Sequence, residues 1–233
     1  MNQFRLRASG LFGMLGGIIL FAGDMLFQYD PYNTNFLENM ANSSDFRIIS
    51  SGVCALFATW FYLLGLVQIY YAFKPSSETI RNLVLICFAS IFVAFGVIHG
   101  AYVAIAATAK VAVQNQLNLA NSASLATEVY NILKLFVYPI FGLLSFVFIR
   151  QVWIKKTLYP WQIIFFFPLI PFLFQSVIGS LLSGKTWIII MGGYFNIILF
   201  IFFLASTIAL WNPKNLSTNV RNCIDDDVSH NKK

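Results

Sequence analysis

The stretch "GSLLSGKTWIIIMGGYFNIILFIFF", residues 179–203, opens with a segment that fits the G-x-x-x-x-G-K-[ST] pattern of a nucleotide-binding loop at every fixed position, Gly179 to Thr186. A working loop of this kind follows a β-strand and opens a helix, so that backbone N–H groups cradle the phosphates. Here the glycines close one apolar run, and Lys185 and Thr186 lead directly into another, "WIIIMGGYFNIILFIFF". No space is left for a soluble α/β domain or for an acidic Mg²⁺ partner on a neighbouring strand. The stretch reads as a short turn between two apolar helices, and neither a nucleotide nor any other cofactor is expected.

The rest of the chain agrees with that context. Of 233 residues 58% are hydrophobic and 10% charged, against about 25% charged in an ordinary soluble domain. A water-soluble globule is excluded by this balance, and an all-α, polytopic transmembrane helix bundle is expected. Six apolar segments can be marked, at roughly 9–27, 48–73, 83–108, 129–148, 160–182 and 187–211, each near or above the ~20 residues that cross a hydrocarbon core. The basic, apolar N-terminus resembles a signal peptide. It lacks an A-x-A cleavage site, however, and its apolar run is long enough to be a retained first span.

The 15 lysines and arginines set the orientation. With the N-terminus inside, Arg5, Arg7, Lys74, Arg81, Arg150, Lys155, Lys156, Lys214, Arg221, Lys232 and Lys233 are cytoplasmic. Only Arg47, Lys110, Lys134 and Lys185 are then outside, the asymmetry that the positive-inside rule demands. Both termini are expected in the cytoplasm, with residues 212–233 as a disordered tail. The net charge of +6 is scattered in short clusters between apolar runs, which points to the lipid bilayer as partner and away from nucleic acid. Cys54 and Cys87 fall at different expected depths and Cys223 in the tail, so no disulfide or metal framework can be drawn.

Five fragments carry a resemblance: "GDMLF", "FYLLGLVQIYYAFKP", "HGAY", "KTLYPWQ" and "GGYFNIILFIFFLASTIALW". In this order and spacing they resemble an uncharacterised family of bacterial multi-span membrane proteins, a domain of unknown function. The resemblance implies a bundle of about six helices in a bacterial inner membrane and carries no substrate or reaction with it.

Function has to be sought in the polar residues of the spans, because Asp, Lys or Arg at a helix centre costs about 2.5–3.5 kcal/mol on insertion scales. Counting along the helices places Asp24, His99, Lys134, Gln175 and Asn196 in the outer half, on five different spans; Gln68 lies near the inner end of span two. Gly10, Gly17 and Asp24 recur at intervals of seven, so Asp24 continues a glycine stripe and faces protein. His99 within "GVIHG" and Asn196 after Gly192 and Gly193 are turned inward by the same logic. Asp24 near a helix C-terminus calls for a cation, with His99 and Lys134 at similar depth.

Three readings follow. The first is small-molecule or ion binding or transport through an outward-opening polar pocket lined by Asp24, His99, Lys134, Gln175 and Asn196. The second is an intramembrane enzyme on a lipid or isoprenoid, with His99 as acid or base; the sequence holds no HExxH, serine elbow or metal-ligand cluster to support it. The third is a structural or accessory bundle, or a homo-oligomer, packing through its small-residue faces.

Overall fold

The computed structural model describes residues 3–211, and every regular element among them is an α-helix. Four helices are long and apolar enough to cross a membrane: α1 (Gln3–Gln28), α3 (Asp45–Ala72), α4 (Glu78–Gln114) and α5 (Leu119–Trp153). A short α2 (Phe36–Asn42) precedes α3. The pair α9 (Gly184–Gly192) and α10 (Tyr194–Leu210) counts as a fifth if taken as one span, bent by 64°. Residues 212–233, expected as a tail, lie outside the described residues.

Local chemistry explains the ends. Asn35, Ser44, Ser77 and Asn118 each turn a side-chain oxygen onto a free N–H of the following first turn, of α2, α3, α4 and α5. The segments expected as long outer loops are largely helical: α2 occupies part of the first, and α4 and α5 extend toward each other until only residues 115–118 separate them.

The fifth apolar segment departs from the expected continuous helix. It forms α6 (Ile163–Phe166), α7 (Leu169–Leu173) and α8 (Gln175–Leu181). Proline is the cause at the first break: Phe167 precedes Pro168 and is extended at φ −66°, ψ 135°, as the steric demand of a following proline ring requires. Pro139 in α5, by contrast, leaves that helix unbroken. The broken segment runs alongside α10 in the opposite direction. Tyr159, just before it, bonds Ser206 near the C-terminal end of α10 at 2.7 Å, Tyr194 at the start of α10 donates to the Pro171 carbonyl at 2.7 Å, and Gly179 abuts Met191 of α9. The nucleotide-loop look-alike thus sits between two helices, with Gly184, at φ +56°, already opening α9.

Helix α1 is central, gripped by α3 on one side and α10 on the other. Its glycines permit this: a methyl group at Gly13 would overlap the Phe203 ring, one at Gly16 would stand 2.8 Å from Tyr62, and one at Gly65 of α3 would stand 2.8 Å from the Gly13 Cα. Toward the N-terminal end of α1 Ser9 donates to the Leu64 and Gly65 carbonyls and accepts from the Gln68 N–H, while the Gln68 side chain bonds Thr207 at 3.3 Å. Phe73, Phe148, Phe167, Phe202 and Phe203 are wholly buried around this level, with Phe148 and Phe167 stacked at 4.4 Å. Both ends of the described chain lie on one face, since Arg7 sits 4.2 Å over the Trp211 ring and donates to its carbonyl at 3.1 Å.

Gly65→Ala therefore forces α1 and α3 apart and is expected to destabilise the protein by about 1–3 kcal/mol, the range for overpacking. Gly100→Ala and Gly142→Ala meet nothing within 4 Å and should leave thermal unfolding in detergent unchanged or slightly raised. An unaltered midpoint in Gly65→Ala would remove the close approach of α1 as the organising contact.

Candidate functional site

All five polar residues singled out in the outer half, Asp24 of α1, His99 of α4, Lys134 of α5, Gln175 of α8 and Asn196 of α10, border one cavity of about 330 Å³. That volume is at the small end of the ~300–1,000 Å³ typical of ligand sites. The glycine contacts that seat α1 between α3 and α10 bring Asp24 against Asn196, whose amide donates to Asp24 Oδ2 at 2.6 Å. His99 Nδ1 stands 3.5 Å from Asp24 Oδ1, and His99 Nε2 is hydrogen-bonded to Ser51 Oγ at 2.9 Å. Asp24, His99, Asn196 and Ser51 are all buried. The result is one connected network at the floor of the cavity, linking α1, α3, α4 and α10.

Lys134 is not paired with Asp24, the partner its depth suggested. Its ammonium lies over the Tyr130 ring at 4.8 Å, a cation–π contact, and among the described residues no carboxylate is within 4 Å of it. The lysine paired with a carboxylate among the described residues is instead Lys110, which reaches Asp45 at 2.6 Å and the Ser43 carbonyl at 2.8 Å, tying α4 to the start of α3.

The cavity wall holds residues that reading the sequence by charge passes over. Tyr130, Lys134 and Tyr138 recur every four residues and share one face of α5, and His99 and Tyr102 are three apart on α4. Tyr102 stacks on Tyr130 at 5.1 Å. The aromatic spacing was available as a signal. Gln28, one turn beyond Asp24, also borders the cavity; it is 1% exposed, and its Nε2 leans toward Asp24 but completes no hydrogen bond among the described residues. A buried donor in that condition costs about 1–3 kcal/mol.

Ser51, His99 and Asp24 stand in the order of a hydrolase relay, yet Ser51 has no exposed surface and does not border the cavity. Its neighbour on the other side is α1, where a methyl group at Gly23 would stand 3.4 Å from the Ser51 carbonyl. A substrate in the cavity does not reach this hydroxyl, so the serine orients His99 and offers no nucleophile. Among the described residues no group of three or more His, Cys, Asp or Glu is placed to hold a metal ion.

Because Asp24 and Asn196 satisfy each other, their losses should couple. Asn196→Leu is expected to destabilise by about 1–3 kcal/mol through the stranded carboxylate, while adding Asp24→Leu should recover part of that loss, a double-mutant cycle readable by thermal unfolding. Strictly additive effects would mean that the 2.6 Å contact carries no energy.

No curated protein and no solved structure matches the chain. A family model does match over residues 1–212, nearly the whole of the chain and all of the helices that build the cavity. The chain belongs to DUF6796, a family of unknown function.

Proposed function

We propose that this chain is a multi-pass membrane protein that crosses the bilayer six times, with both termini cytoplasmic, and binds a small ligand in a pocket open to the outside. The observation that carries the reading is the convergence of Asp24, His99, Lys134, Gln175 and Asn196, from five elements, on one cavity. Such groups are expensive within a bilayer and are retained where they face one another or a wet space.

The six crossings are supported by parity. Arg7 and Trp211 meet on one face, so the number of crossings between them is even. The four long helices and the bent α9–α10 pair supply five, and the broken segment α6–α8, antiparallel to α10, supplies the sixth. The excess of lysine and arginine on the face of Arg7 makes that face cytoplasmic. The bacterial inner membrane is the compartment that the likeness of the sequence to bacterial multi-span proteins implies.

Binding is favoured over passage through the protein by what lies beneath the pocket. Phe92, Phe148, Phe167, Phe202 and Phe203 are each at most 1% exposed and touch ring to ring between the polar floor and the inner face. A solute moving inward would have to separate these rings. In this state the pocket is a dead end, suited to a receptor, a sensor or the outward-facing stage of a carrier.

Single cysteines test the arrangement in a chain whose Cys54, Cys87 and Cys223 are replaced. Lys134→Cys and Gln175→Cys are expected to react with a membrane-impermeant maleimide in intact cells, and Lys74→Cys and Lys155→Cys only after permeabilisation. The reverse pattern would invert the topology, and protection of both Lys134→Cys and Gln175→Cys from outside would close the pocket.

A further inference from the structure

The ligand chemistry can be read from the charges that border the pocket, granted the outward-open pocket just proposed. A carboxylate, Asp24, lies on the α1 side and an ammonium, Lys134, on the α5 side, more than 4 Å apart and unpaired with each other. Asn196 takes one oxygen of Asp24, and the other faces His99 at 3.5 Å. The ring of Tyr102 borders the pocket and lies edge-on to His99 at 6.4 Å, an aromatic group on the Asp24 side that suits a positively charged guest. Gln175 of α8 also borders the pocket and offers an amide donor to an acid group.

A ligand with a single charge would satisfy one side and leave the other charged group uncompensated in a low-dielectric site. A molecule with both charges satisfies the two together. We infer that the pocket takes a zwitterion, with its ammonium at Asp24 and its carboxylate or phosphate at Lys134.

The approach to the pocket mixes apolar side chains, Leu37, Ile132 and Leu135, with polar ones. A second depression runs along α5 past Ser124, Thr127, Glu128 and Asn131 and meets the pocket at Lys134 and Tyr138, which border both. It begins at Ala120, at the outer end of the helix. A water-borne solute therefore has a continuous track to the pocket, with Lys134 at the junction. The same charge pair also occurs in a zwitterionic phospholipid headgroup, and the two sources separate by experiment.

The test uses the full chain in nanodiscs of phosphatidylglycerol and follows thermal unfolding with glycine, β-alanine, γ-aminobutyrate and 6-aminohexanoate, whose charge separation increases along the series. Each is compared with its amide, which keeps only the ammonium, and its N-acetyl form, which keeps only the acid. At least one zwitterion should raise the midpoint by about 5 °C at saturating concentration, and its two singly charged analogues should not. Lys134→Gln should abolish that shift, and Lys134→Arg should retain much of it. A lipid source would appear as a higher starting midpoint in discs containing phosphatidylethanolamine, lost in Lys134→Gln, with no further shift from the soluble series. Equal stabilisation by an amide or an N-acetyl form would overturn the inference, as would no shift from any zwitterion in either disc. Because the cysteine labelling reports the pocket independently of any ligand, labelled Lys134→Cys and Gln175→Cys with no zwitterion effect would sink the ligand class alone.

Discussion

The close seating of α1 between α3 and α10 is the constraint on which the rest of the structure depends. Lipid tails are as apolar as leucine, so helices in a bilayer associate through packing and hydrogen bonds, and small residues decide how near two backbones come. At Gly13 and Gly65 the approach is such that neither position has room for a methyl group. That contact sets the rotation of α1, and with it the direction of Asp24 three turns further on. Asn196 meets Asp24 because α10 presses on the same glycine stripe: a methyl at Gly17 would stand 3.1 Å from the Asn196 carbonyl. The polar network is thus a consequence of packing below it, and a bulky residue in the stripe should dismantle a site one or two turns away.

The two halves of the bundle divide their work along the same axis. Around Gly13 and Gly65, interlocked phenylalanines and Tyr62 fill the space between helices, with Tyr62 and Phe92 stacked at 4.7 Å. Toward Asp24 the packing loosens into a cavity whose walls carry hydroxyls, amides and charge. Aromatic pairs add about 0.5–1.5 kcal/mol each beyond the area they bury, which offsets the cost of holding a buried carboxylate and imidazole above them. The many phenylalanines of the sequence thereby acquire a reason: they form the rigid base on which an expensive polar site rests.

How far the site was legible in the sequence follows from what each residue signals. Asp24, His99 and Asn196 stand next to glycines on helical faces, and glycine adjacency within an apolar run specifies a protein-facing direction. Their depth follows from counting, because rise per residue is fixed. Lys134 was left with an open choice of partner, since a long flexible side chain has several within reach; Tyr130, one turn away, holds it. Ser51 left no trace, because a serine in an apolar helix bonds equally well to its own backbone, and only the structure brings it to His99. The prolines marked where a helix could break, without telling which of them would break it. Pro139 and Pro168 read alike along the chain, and one interrupts a helix while the other does not.

Those breaks bear on what the cavity is for. Interrupting a helix frees backbone N–H and C=O groups, which at membrane depth are tolerated where they are buried in protein or line a wet cavity. The break between α7 and α8 brings Phe172 and Gln175 to the cavity, and the bend between α9 and α10 brings Met191, Gly192 and Tyr194 to it. Both discontinuities therefore border the same space as the charged network. Two unbroken helices would have closed this wall more cheaply. Helix α8 and the preceding α7 bury no residue fully, whereas α10 beside them buries nine of its seventeen. The wall on this side combines a firmly packed helix with a loosely held strap, and only the strap can yield without disturbing the Asp24–Asn196 contact. Gln175 on that strap and Lys134 on α5 border the same cavity, so the loosely packed wall meets the charged residues there.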